Sequence, residues 1–117
     1  MSPKERSNLT DAKARRRADR ALLATYHETK LADLLEQVRA GFTAYDSGQI
    51  DAFQLDDVIH HYKSSAKELW KFCDVSGADV ERAVRALEFR RADNEEPDWW
   101  EIGARQRGRP KQPQSVR

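Results

Sequence analysis

The sequence predicts an all-α fold: an antiparallel bundle of three main helices plus a short C-terminal helix, followed by a disordered basic tail. Three observations carry this. Apolar residues recur in steps of three and four over long stretches, as one buried helical face requires. The same capping pattern occurs twice, each time just ahead of such a stretch. No strand-like alternation appears anywhere in the chain.

The first helix is expected from about residue 11 or 19 to residue 47. Its apolar stripe is Leu23, Tyr26, Leu31, Leu34, Leu35, Val38, Phe42 and Tyr45. The early segment DAKARRRADRALL has good helix formers but little to bury before Ala21, so it reads as a projecting or fraying extension. This helix is longer than its partners, so part of its stripe should be left uncovered.

The corner after it needs a decision. Tyr45 to Asp57, YDSGQIDAFQLDD, has the outline of half a calcium-binding EF-hand. With Gly48 at the obligatory glycine position, the ligand positions hold Thr43, Tyr45, Ser47 and Gln54. The carboxylates Asp46 and Asp51 fall elsewhere, so calcium is excluded. A tight corner explains every residue. Gly48 ends one helix where a positive φ suits glycine. Asp51 caps the next, with Gln54 reaching back as in a capping box. Ile50 and Leu55 form the hydrophobic staple.

The second helix is expected over about 52–73. It turns inward Leu55, Val58, Ile59, Tyr62, Ala66, Leu69 and Cys73, with Phe53, Trp70 and Phe72 widening the face. Val75, Ser76, Asp79 and Val80 repeat the corner grammar, with Ser76 as the cap of a third helix over about 77–91. Val80, Ala83, Val84 and Leu87 face inward there, and Phe89 falls off the stripe. Asn94 is expected to cap a short last helix with Pro97 in its first turn. Trp99, Trp100 and Ile102 fold back onto the bundle, and Gly103 ends the helix. Adjacent residues rarely share a helical face, so at least one tryptophan is buried and the other is a lid or an interface anchor.

This gives a basic extension over 1–20, partly helical or disordered; a helical bundle over 21–103; and a disordered basic tail over 104–117. Charge follows the same division. Residues 1–20 carry seven Lys/Arg against three Asp/Glu, residues 21–103 nine against seventeen, and residues 104–117 five against none. An acidic body between two basic ends is a poor nucleic-acid platform except at the ends themselves. No apolar run is long enough to span a membrane, and no apolar core follows the N-terminal charges as in a signal peptide. Cys73 stands alone. A cytoplasmic location is the simplest reading.

Candidate chemistry is sparse. Asp56, Asp57, His60 and His61 place carboxylates and imidazoles three and four residues apart, which copies half of a di-metal carboxylate motif. His27, Glu28 and Asp33 do not supply the other half at the required spacing. A zinc set drawn from His27, His60 or His61 with Cys73 lacks ligand spacing. A hydrated acidic face with helical ion pairs explains the same residues. No phosphate loop, nucleophile elbow or Cys-x-x-Cys is present. Ser64 and Ser65 have no base positioned for them. No catalytic residue, metal site, cofactor or small-molecule substrate is therefore predicted.

Two resemblances add to this. The tail segment RGRPK, Arg107 to Lys111, resembles the core of an AT-hook. The resemblance implies that Arg107 and Arg109 enter the minor groove of AT-rich DNA. Gly108 would permit close approach, Pro110 would stiffen the chain, and Arg105 and Lys111 would hold phosphates. A solubilising basic tail is the plain alternative. HYKSSAKELWKFC with the later DWWE, within about residues 26–101, resembles a family of small helical proteins from high-GC bacteria. That resemblance implies a single helical domain in a bacterial cytoplasm and transfers no site.

The predicted function is a non-enzymatic helical interaction module. It self-associates or meets a protein partner through apolar surface that includes Phe53, Trp70, Phe89, Trp99 and Trp100. The alternative is an accessory DNA-binding protein that uses its basic ends.

Overall fold

The computed structural model describes residues 3–108, with side chains from residue 10 to residue 106. It contains four helices: α1 (Pro3–Asp46), α2 (Ala52–Cys73), α3 (Ala78–Ala92) and α4 (Trp99–Gly108). No strand occurs among the described residues.

α1 starts earlier than its apolar stripe suggests. Proline suits a first helical position because its missing N–H would be unpaired there anyway, and the following residues are mostly good helix formers. At about 1.5 Å per residue, 44 residues span about 66 Å, close to the longest extent of the molecule, 68 Å.

The first corner forms as its sequence dictates. Gly48 has φ +79. The Gln49 N–H reaches the Ala44 carbonyl at 2.8 Å and the Gly48 N–H reaches Tyr45 at 3.1 Å, closing the end of α1 as a Schellman motif. The Asp51 carboxylate accepts from the Gln54 N–H at 2.8 Å, and the Gln54 side chain accepts from the Asp51 N–H at 2.9 Å.

The later corners differ from expectation. Ser76 does not cap α3. Gly77 holds that place with φ +61 and no side-chain cap, a conformation a serine adopts only with strain. Asn94 does not open the last helix; it closes α3 with φ +58. The Glu95 N–H bonds to the Arg90 carbonyl at 2.6 Å and the Asn94 N–H to Arg91 at 3.1 Å. Asparagine tolerates this left-handed conformation, so a second Schellman motif forms without glycine. Asp98 then opens α4, accepting from the Glu101 N–H at 3.2 Å. α4 continues past Gly103 to Gly108, so residues 104–108, expected to be disordered, are helical.

One core joins all four helices: Leu23, Tyr26 and Leu34 from α1, Leu69 from α2, Val80, Ala83 and Leu87 from α3, and Trp99 from α4. Every residue expected inward on α3 is buried. α2 packs mainly against α1 and α4, and α3 packs on α1. The glycines mark the closest approaches. A Cβ on Gly41 would lie 3.2 Å from both Leu55 and Val58 side chains. A Cβ on Gly103 would lie 2.6 Å from the Ser65 Cα and N, so only glycine fits where α4 crosses α2. Gly103 is thus a crossing point and not a helix end.

Candidate functional site

The candidate aromatics divide. Trp99 is in the core, its indole N–H donating to the Tyr26 hydroxyl at 2.8 Å and its ring 5.5 Å from Phe72. Burial raises the pKa of Tyr26 above its ordinary value. Trp100 is half-buried, stacked on His61 with ring centroids 3.5 Å apart. Neither tryptophan is an open anchor; both fasten α4. By contrast Phe53 is 87% exposed, Phe89 69% and Trp70 54%.

The Asp56–His61 cluster also divides. His60 turns outward, with Nδ1 2.9 Å from the Asp56 carbonyl and 3.4 Å from its carboxylate. His61 turns toward α4, and its Nε2 lies 2.8 Å from the Trp100 carbonyl. A carbonyl only accepts, so Nε2 carries the proton. Ser65, fully buried, donates to the same carbonyl at 3.2 Å. Two donors share one acceptor, so the imidazole is not placed as a base for the serine. The described residues hold no group of three His, Cys, Asp or Glu side chains arranged for a metal ion. Cys73 is half-buried, and desolvation pushes its thiol up to about 11.

The feature that stands out is an uncovered face on α1. Leu31, Leu35, Val38, Phe42 and Tyr45 follow one another in steps of four, three, four and three, the spacing of a coiled-coil seam. Leu35, Phe42 and Tyr45, expected on the inward stripe, are 43%, 47% and 43% exposed. The reason is α1's neighbours. Leu34 and Gly41 take the contact with the rest of the molecule. Lys30, Asp33 and Gln37 face the segment from Glu96 to Trp100. Leu35, Phe42 and Tyr45 lie on the other flank, while Leu31 at the head of the row packs against the core.

α2 continues this face. His61 and Ser65 meet α4, and helical periodicity puts Ile59 and Trp70 on the opposite flank. Trp70 lines a cavity of about 200 Å³ together with Ala24 and His27 of α1. The exposed aromatics thus do not form one patch. Trp70 joins the open face, while periodicity turns Phe53 to the far side of α2 and Phe89 stands on α3. Sequence periodicity found the row and left part of it uncovered, but did not say which residues those are.

Of the hook-like residues, Arg105 is exposed on α4, and Arg107 and Gly108 belong to its last turn. The backbone from 105 to 108 is helical, whereas the resemblance implies an extended path. Arg109, Pro110 and Lys111 lie outside the described residues. No described helix is long and apolar enough to cross a membrane.

No family model, no curated protein and no solved structure matches this chain.

Proposed function

We propose that this protein is a non-enzymatic helical interaction module that self-associates through the open flank of α1 and α2. In this reading α1 and α2 run antiparallel, with α4 over one side of the pair and a second copy of the chain over the other. One observation carries it: the row from Leu31 to Tyr45 keeps a coiled-coil repeat over two heptads, and Leu35, Phe42 and Tyr45 within it are exposed. Three large apolar residues in line are unusual on a monomer's surface.

A second copy suits this face better than an unrelated partner. A two-fold contact brings the same patch to itself, and a helix with a matching three-four repeat is what the row requires. Charge does not oppose it. Helical periodicity places Glu28, Arg39 and Asp46 along the α1 rim and Asp56 and Lys63 along the α2 rim, both signs on each. The single half-buried thiol supports a cytoplasmic setting.

The test is mass in solution. Light scattering on the full chain should give about twice 13.5 kDa, falling toward 13.5 kDa on dilution. Leu35→Lys with Phe42→Lys should give the monomer mass with unchanged helical circular dichroism. A wild-type chain that stays monomeric at high concentration overturns the reading.

A further inference from the structure

The N-terminal half of α1 carries cations that the body leaves unneutralised. Lys13, Arg15, Arg16, Arg17 and Arg20 are all exposed. None makes an ion pair with a described residue, whereas Arg39, Arg82, Arg85 and Arg91 each hold a carboxylate. Asp19 and Glu81 line a cavity of about 310 Å³ with Arg16 and Arg20, and Asp74 lines a smaller one with Arg20, yet none of them pairs with either arginine. Of the three, Glu81 is the acid on α3. Its carboxylate is already held by Arg85.

Order on the helix sharpens this. Lys13, Arg17 and Arg20 are spaced by four and three, so they form one row, and Asp11 and Asp19 lie off it. The same spacing carries the row through Ala24 into the apolar row at Leu31. One flank of one continuous helix is therefore basic first and apolar afterwards.

We infer that the basic row is a docking surface for duplex DNA, with Lys13, Arg17 and Arg20 contacting backbone phosphates. A lone helix about 10–12 Å across fits a major groove about 12 Å wide. The deep, narrow major groove of duplex RNA does not admit it. An anionic membrane surface would need an apolar face beside the cations, and residues 10–21 contain no apolar side chain larger than alanine. Lysine and arginine on phosphates hold position and read no sequence, so AT-rich and GC-rich duplexes bind alike. This goes beyond self-association and does not rest on it. A second copy would present a second basic helix, as where basic helices fork from a dimer seam.

The experiment is fluorescence anisotropy on a labelled duplex, with the full chain, at about 50 to 200 mM salt. Three chains are compared: wild type, the arm variant Lys13→Ala/Arg17→Ala/Arg20→Ala, and the tail variant Arg107→Ala/Arg109→Ala/Lys111→Ala. Alanine is a good helix former, so the arm stays helical. The arm variant should bind roughly tenfold or more weakly at low salt and lose about 2–3 from the slope of log K against log salt, about one per phosphate contact. The tail variant should retain most of the affinity. Wild-type binding by the arm variant, loss confined to the tail variant, or tighter binding to duplex RNA or to phosphatidylserine vesicles overturns the inference. The mass of the arm variant is measured alongside. It should be unaffected by loss of the cations, so failure here leaves the self-association reading standing.

Discussion

The two halves of α1 share one helix and almost nothing else. From Leu23 onward it supplies residues to a core shared with all three other helices. Between residues 10 and 22 no side chain is buried, and the arginines there hold no carboxylate. The difference shows what packing adds to propensity. Both halves are built from good helix formers, but a helix that buries nothing is marginal in water. The arm is helical because it continues a helix anchored elsewhere, and its surface is free to meet something else.

Hydrogen exchange gives the largest contrast between the halves. Amides around Leu69 and Leu87 should open only with global unfolding, about 5–15 kcal/mol for a domain, while arm amides open at close to zero. Equal protection along the whole of α1 would break the comparison.

Substitution comes next. Leu69 has no exposed surface. Leu69→Ala should cost about 2–5 kcal/mol in urea unfolding. Arg17→Ala in the arm should move the midpoint by less than about 0.5 kcal/mol. Gly103→Ala tests a single contact of the packed region. Its Cβ would sit 2.6 Å from the Ser65 backbone, so α4 must shift away from α2 at a cost of about 2–3 kcal/mol. The stacking of Trp100 on His61 should loosen with it, visible as a change in tryptophan fluorescence. Tyr26→Phe is milder. It leaves the buried Trp99 N–H without its acceptor, for about 1–2 kcal/mol.

How much of this was legible in the sequence depends on the range of each cause. Gly48, Asp51 and Gln54 act within a few residues, so their corner is readable directly. The inward set of α3 is readable because one stripe meets one neighbour. Leu35, Phe42 and Tyr45 show the limit: periodicity gives the width of an apolar face, but only the partners decide how much of it is covered. Gly103 reads as a helix end until Ser65, remote in sequence, is seen against it. Asp98 takes the capping role expected of Asn94, because both residue types suit caps and only the chain path decides which end each closes. The cations of the arm are plain in composition. That they form no ion pair with a described residue, while Arg85 holds Glu81, is seen only in the structure.

The dependence on pH again separates the two regions. Unfolded, the Cys73 thiol ionises near its ordinary value of 9.0; folded, burial holds it protonated to about 11. A raised acid pKa means that the folded state binds more protons between those values, so stability falls as pH rises through that window and is unaffected by this group below it. Tyr26 shifts in the same direction by burial and adds to the fall at the alkaline end. Urea midpoints at pH 8 and at pH 10 should therefore differ, with the alkaline one lower, and Cys73→Ala should flatten that difference. The arm contains neither group. Its helicity, followed by exchange or by a label at residue 13, should not respond across the same window. A slope unchanged by Cys73→Ala would mean that the thiol meets solvent in the folded chain, and that the packed half of α1 is less closed around α2 than the burial of Leu23 and Leu69 implies.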